Sequence, residues 1–344
     1  MQAISAMAPS SPLLDHLRRR GAHFEGDEPA HFGRPDEERA AVASGTTLHA
    51  LTTEALLEVT GEDARSFLQA QLSNDVEALS ATRAQLSTYC TPQGRMLASL
   101  LVWRGADAFL LQLPAELAPS IRTRLQRYVL RARVKLTDAS ERWAVLGVAG
   151  TQARAVLEAA FGAAPPERMG KLDSERTSVI CLGRELYQVV VPADGATAQW
   201  DRLAGPARPS GSQWWRWRLI QANLPVITAA TSELFVPQMA NMDVLGGVNF
   251  DKGCYPGQEI VARAQYRGQV KRRLFRLHAE TGAPRPGQAL FAPQSAAAVG
   301  TVVNAAPAPA GGFDILAVLQ EERAQRSAAL CLGSEDGPGL ALAP

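Results

Sequence analysis

The run LGGVNFDKGCYPGQEIVARAQYRG, residues 245–268, changes character in its middle. Up to Gly257 it is a string of glycines and turn formers, and beyond it Ile260, Val261 and Ala264 fall on one side of a helix. Pro256 suits the first turn of that helix, where a missing N–H costs nothing, and Gln258 and Glu259 suit its positive end. Gly268 fits the C-cap. Cys254 is thereby expected just ahead of a helix N-terminus, with the Lys252 ammonium close by. Both favour the thiolate, which is the reactive form of a cysteine. The same residues also fit a plain strand-to-helix turn in which Cys254 packs as a small hydrophobe.

Working outward, the 344-residue length suggests two or three domains, with room for a large core and a cleft between them. Hydrophobic residues at 46% and charged residues at 20% are ordinary for a globular chain and argue against disorder. A net charge of +1 provides no global field for a polyanion. The longest apolar runs, residues 96–103 and 144–149, fall short of the roughly 18–20 residues of a membrane helix, so no membrane association is expected. At the N-terminus no basic segment precedes an apolar one, and the cytoplasm is the expected compartment. Cys90, Cys181, Cys254 and Cys331 form no C-x-x-C pair, which argues for reduced thiols and against a disulfide scaffold or a metal site. Three of the five histidines lie in the first 31 residues, leaving only His49 and His278 for a catalytic triad or a metal.

Residues 1–44 mix Pro, Gly, Glu, Arg and His without periodicity and read as a disordered tail. Residues 51–59 read as extended, followed by a turn at Gly61-Glu62-Asp63 and a helix carrying Ala64, Phe67, Leu68 and Leu72. Residues 85–90, 96–103 and 108–113 read as a three-stranded meander, and a helix after Pro114 places Leu117, Ile121, Leu125 and Tyr128 on one face. A second strand-helix-strand set begins at Trp143 and partly echoes the first. The helix at residues 213–223 carries Trp214, Trp215 and Trp217, whose spacing sends them in different directions. After Gly268, short strands separated by Gly and Pro suggest a small closing β-barrel.

The segment K-G-C-Y-x-G-Q-E, followed by V-A-R and R-G, resembles the signature of the YgfZ/GcvT-like folate-binding family. Its bacterial members take part in iron–sulfur enzyme maintenance and tRNA modification. Other matches come in order: Gly61, Asp63-Ala64, Phe67-Leu68-Gln69, Gln71 and Ser73-Asn74-Asp75; then Pro92 and Gly94-Arg95; then Tyr128, Leu130-Arg131 and Val134. Pro225-Val226-Ile227, Phe235-Val236-Pro237-Gln238 and Gly246-Gly247-Val248 follow, so the resemblance spans residues 46–320. It implies an α+β, three-domain clover-leaf of the glycine-cleavage T-protein type with a C-terminal β-barrel, built around a channel for tetrahydrofolate or a derivative. The implied divisions are residues 1–44, 45–140, 141–268 and 269–344.

The resemblance also implies an accessory protein for assembly or repair of iron–sulfur clusters in client enzymes, including radical enzymes that modify tRNA. Cys254 and Lys252 would carry the chemistry. Trp215, Asn74, Asp75, Arg95, Tyr255, Gln258 and Glu259 would contact the folate, with the Trp215 indole suited to stacking on a flat ring. A second family tryptophan falls at about Glu54 here. One thiol among scattered cysteines cannot hold a stable cluster, so none is expected, and the chain is expected to be a monomer. Two alternatives stand beside this. The basic set Arg122, Arg124, Arg127, Arg131, Arg133 and Lys135 fits either direct tRNA binding or a solvated helix face. An aminomethyltransferase would need a carboxylate after the glycine turn, but the corresponding run Gly94-Arg95-Met96-Leu97-Ala98-Ser99 has none.

Overall fold

The computed structural model describes residues 12–266, 270–293, 297–325 and 329–343. A first unit runs through strand Glu54–Thr60, helix Ala64–Gln71, strands Ala84–Cys90, Met96–Arg104 and Phe109–Pro114, helix Ala118–Gln126 and strand Lys135–Asp138. The three central strands form the expected antiparallel meander, and the sheet closes with Glu54–Thr60 lying between Phe109–Pro114 and Lys135–Asp138. Strand Glu54–Thr60 is buried on both sides. Leu57 and Val59 meet Phe67, Leu68, Ile121 and Leu125 of the helices, while Leu56 faces the second unit. Each of these side chains contributes roughly 1.5–3 kcal/mol by leaving water. The helix after Pro114 ends at Gln126, so Tyr128 leaves the apolar face assigned to it from the sequence and stands 51% exposed.

The second unit repeats the order: strand Trp143–Gly150, helix Ala153–Phe161, strands Lys171–Ser174, Thr177–Gly183 and Leu186–Pro192, helix Ala196–Ala204 and the short strand Arg208–Pro209. Its sheet has the same arrangement, with strand Thr46–Ala50 inserted next to Trp143–Gly150. Residues 46–50 therefore belong to the second sheet and not to the first part. The extended segment read across residues 51–59 is broken at 51–53, where the chain passes between sheets. The two sheets face each other across a shared core containing Leu56, Leu101 and Trp103 from one and Val145, Ile180 and Leu182 from the other.

Residues 12–44 correct the expectation of a tail. Helix Pro12–Arg19 and helix Pro35–Ser44 flank the hairpin of His23–Glu25 and Glu28–His31. Leu13 and Leu17 are buried in the core that also holds Trp200, and the buried Glu38 carboxylate accepts the amides of Phe32 at 2.6 Å and Gly211 at 3.1 Å. Residues 1–11 lie outside the described residues.

Helix Ser212–Gln221 lies against both sheets and the C-terminal part. Trp217 Nε1 and Gln221 Nε2 each donate to Asp314 Oδ2 at 2.7 Å. Asp314 belongs to a closed barrel that includes Arg272–Ala279, Gly300–Pro307 and Phe313–Gln320, together with the smaller strands Ala289–Phe291, Leu330–Leu332 and Gly339–Leu342. Among the described residues no helix is long and apolar enough to cross a membrane.

Candidate functional site

The cysteine loop is held by two glycines that touch. Gly257 has φ +83, and a Cβ there would lie 2.5 Å from the Thr91 carbonyl oxygen and 2.7 Å from Gly94 Cα. Gly94 has φ +71, and its own Cβ would crowd the Ile260 side chain at 3.1 Å. Only two residues without side chains let the turn between strands Ala84–Cys90 and Met96–Arg104 meet the loop backbone to backbone. The helix that follows runs Gln258–Tyr266, so Pro256 sits in the preceding turn, where the Gln258 amide donates to the Tyr255 carbonyl at 3.1 Å. Gly268, expected as its C-cap, lies outside the described residues. Cys254 is exposed, whereas Cys90 and Cys181 are buried and Cys331 is half-buried. Burial pushes the Cys90 thiol up to about 12, which keeps it protonated.

Lys252 does something the sequence did not suggest. Its ammonium donates to the carbonyls of Gln69 at 2.6 Å, Leu72 at 2.6 Å and Asn74 at 3.0 Å. These carbonyls lie at and just beyond the C-terminus of helix Ala64–Gln71, where carbonyls lack intrahelical partners and the helix dipole is negative. Burial lowers the Lys252 pKa to about 8, with Asp75 and Glu77 pulling the other way. Its protons are thus committed to the helix end, which makes Lys252 a mechanical anchor for the loop. Gln258 Nε2 adds a second tie by donating to the Lys252 carbonyl at 3.3 Å. Tyr255 is buried beneath the loop, its ring 5.2 Å from the Lys252 ammonium. Glu259 is exposed on the first turn.

The other residues expected to contact a ligand are also occupied locally. Asn74 Nδ2 donates to the carbonyls of Leu86 and Gly246, both at 2.7 Å, and its Oδ1 accepts the Asp75 amide at 2.9 Å. Asp75 Oδ1 accepts from Gln69 Nε2 at 3.0 Å and from the amides of Glu77 and Ala78 at 3.0 and 3.2 Å, which makes it a turn former. Arg95 Nη1 donates to the Leu234 carbonyl at 2.7 Å.

A cavity of about 360 Å³ opens elsewhere, between the two units and the barrel. Trp215 forms part of its wall, and Ser212, Leu219 and Leu224 line it beside strand residue Glu54. One side of the indole lies on Gly147, where a Cβ would come within 2.4 Å of the ring. Next to it sits His49, 5.9 Å from Trp215 between ring centroids; burial holds His49 neutral, with its pKa down to about 4. A narrower extension of about 70 Å³ reaches Gln112, Gln188 and Ser99. Gln112 Nε2 donates to Glu54 Oε2 at 3.1 Å and to Gln188 Oε1 at 3.2 Å. Desolvation raises the Glu54 pKa while the Gln112 hydrogen bond opposes it. Glu28, from the N-terminal hairpin, also lines the cavity, and its Oε1 accepts from Arg216 Nη1 at 2.6 Å.

The expected site residues therefore separate into two places. Of the residues assigned to ligand contact, Trp215 lines the cavity, while Asn74, Asp75, Arg95, Tyr255, Gln258 and Glu259 build or border the cysteine loop. A core containing Ile220, Cys90, Met96 and Val261 lies between the tryptophan helix and the loop helix. Sequence reading missed Gln112 and Gln188, which sit on separate strands with no motif around them, and noted Glu54 only as the place of a missing tryptophan. Ser99, in the position where a catalytic carboxylate was sought, accepts the Ile227 amide at 3.0 Å.

This arrangement of two α/β units, a barrel and a cavity among them is the fold of the glycine-cleavage T proteins. It matches the glycine cleavage system aminomethyltransferase T from Bartonella henselae with a TM-score of 0.80, over 97% of this chain and 96% of that one, at 18% identity. Residues 19–215 match the family model of the GCVT N-terminal domain. The chain is also 35% identical over 245 residues to the tRNA-modifying protein YgfZ of Escherichia coli O7:K1, covering 71% of this chain and 75% of the relative. YgfZ of Shigella boydii serotype 18 is 35% identical over 246 residues, with the same coverage. The chain belongs to the GcvT family, in the branch that contains YgfZ.

Proposed function

We propose that this chain is a cytoplasmic, folate-binding accessory protein for the assembly or repair of iron–sulfur clusters in enzymes, including radical enzymes that modify tRNA. The observation that carries the reading is the cavity beneath Trp215. It offers an aromatic wall and a few convergent polar groups, Glu54, Gln112 and Gln188, in a volume suited to a small ring-bearing ligand. Trp215 would stack on a pterin or aminobenzoyl ring, and the Glu54 carboxyl and the glutamine pair would meet its donor and acceptor edge. Cys254, the exposed thiol, would act as the redox-responsive or transiently ligating group. The name of the YgfZ relatives agrees with a role near tRNA modification.

Titrating tetrahydrofolate into the reduced protein by calorimetry tests the cavity. Saturable binding is expected, weakened at least tenfold by Trp215→Ala; no binding by the wild type would remove folate from the proposal. Trp215→Phe keeps most of the packing against Gly147 and separates lost stacking from lost stability. Cys254→Ser is expected to fold normally yet fail to restore iron–sulfur enzyme activity in cells lacking the protein. Full restoration would end the role given to the thiol.

The raised pKa of Glu54 favours one second reading, aminomethyl transfer with Glu54 steering a proton in place of the carboxylate missing after Gly94. It requires methylene-tetrahydrofolate to form from an aminomethyl donor and to stop forming in Glu54→Gln. No turnover above background removes it.

A further inference from the structure

Six large hydrophobic residues are exposed among the described residues: Tyr128, Leu130, Leu234, Val244, Ile260 and Tyr266. Backbone and ion-pair contacts tie several of the neighbouring segments to the cysteine loop. Lys252 reaches the Leu72 carbonyl, and Leu72 bridges Tyr89. Arg124 pairs with Glu233 at 3.5 Å, the next carbonyl, of Leu234, takes Arg95, and Gly94 meets Gly257 and Ile260. Tyr266 belongs to the Ile260 helix and packs its ring edge-on to Phe250, and Val244 precedes the glycines tied to Asn74. Tyr128 and Leu130 lie two residues apart, so two large apolar side chains are exposed on one short segment, which sets them apart from singly scattered surface hydrophobics.

Leu130 stands out within it, at 87% exposure and φ +45. A leucine in the left-handed region is held there by its surroundings. Val129 and Val134 on either side pack on the core, and Asp63 clamps the turn by accepting the Arg133 amide at 2.7 Å while returning its own amide to the Arg133 carbonyl. Residues 117–137 contain six cations and no Asp or Glu. Arg124 and Arg133 find partners, but Arg122, Arg127, Arg131 and Lys135 form no ion pair among the described residues.

We propose that the exposed face of residues 122–135 docks a folded protein partner whose acidic rim surrounds an apolar socket, with Leu130 and Tyr128 as the knob. Leu130, the more exposed of the two at 87%, is aliphatic, which suits a protein socket better than bases, since bases are bound by stacking on aromatic rings. The unpaired guanidinium groups supply the complement to an acidic rim. The identity of the partner as an iron–sulfur enzyme rests on the function proposed above, but the surface does not.

Photo-crosslinking with benzoylphenylalanine at position 130, in growing cells that lack the native protein, tests the surface directly. Adducts containing an iron–sulfur enzyme are expected, with none from the same probe at position 176 in the second unit. Leu130→Asp is expected to cut restoration of iron–sulfur-dependent tRNA modification at least fivefold while leaving the tetrahydrofolate titration unchanged; if it fails to fold, Leu130→Ser is read in the same way. Full restoration by a folded variant, or adducts consisting of RNA or of a second copy of the chain, would overturn the docking face. Adducts with a protein that carries no iron–sulfur centre would keep the face and sink the accessory function.

Discussion

The two α/β units share their order of elements and their sheet arrangement, yet they end their first helix differently. In the second unit, helix Ala153–Phe161 stops at Gly162, which takes φ +83 and returns its amide to the Glu158 carbonyl at 2.9 Å. Its termination is local. In the first unit, helix Ala64–Gln71 stops without a glycine, and carbonyls at and just beyond its end wait for an ammonium 180 residues further along the chain from Leu72. The unit that leaves its helix end open is the one to which the cysteine loop is tied, and the self-capped copy carries no such loop.

The largest expected break is at the glycine contact. Gly257→Ala places a Cβ against the Thr91 carbonyl in a left-handed backbone, and should cost about 3 kcal/mol or more through clash and strain. Urea melts would measure it, and a loss under 1 kcal/mol would mean that the loop can seat without that contact. Lys252→Met should follow, at roughly 2–3 kcal/mol, because three carbonyls lose a charged donor. It should also change the rate at which Cys254 reacts with iodoacetamide, and an unchanged rate would show that the loop is not anchored there. Gly162→Ala should cost only about 1 kcal/mol, since the site is open and the penalty is conformational. It should leave Cys254 labelling untouched; an effect on labelling would mean the two helix ends are coupled.

The effect most specific to Lys252 itself is on pH. With the Lys252 pKa at about 8 in the folded chain and the ordinary lysine value at 10.5, the folded state holds fewer protons than the unfolded one between those values. Stability contributed by this group therefore rises with pH across that window. The stability gap between wild type and Lys252→Met is expected to widen from pH 8 upward, and a constant gap would place the proton elsewhere.

Much of this was legible in the residues. The meander, the amphipathic helices and the closing barrel follow from alternation and turn chemistry, and the glycines of the cysteine loop announced a tight turn. What escaped was whatever depends on distant partners. Leu13 and Leu17 look unremarkable until the core around Trp200 covers them. Lys252 reads as a charge beside a thiol because nothing nearby in sequence reveals the carbonyls it serves. Asn74 and Asp75 look like ligand groups because a side-chain amide and carboxylate carry the same donors and acceptors whether they bind a pterin or their own backbone. Gln112 and Gln188 are 76 residues apart and meet only once the two sheets face each other.

The dependence of the first unit on Lys252 also sets a timetable for synthesis. By Pro209 the ribosome has made every strand of the second sheet and every strand of the first. At roughly 5–20 residues per second, the end of helix Ala64–Gln71 then waits about 9–36 s between the appearance of Leu72 and that of Lys252. Only for the last 43 residues of that interval, from Pro209 to Lys252, does the nascent chain carry every strand of the second unit beside a first unit with an open helix end. The segment that later presents the thiol is the same segment that completes the earlier domain, so a ribosome stalled before it would release a chain lacking both.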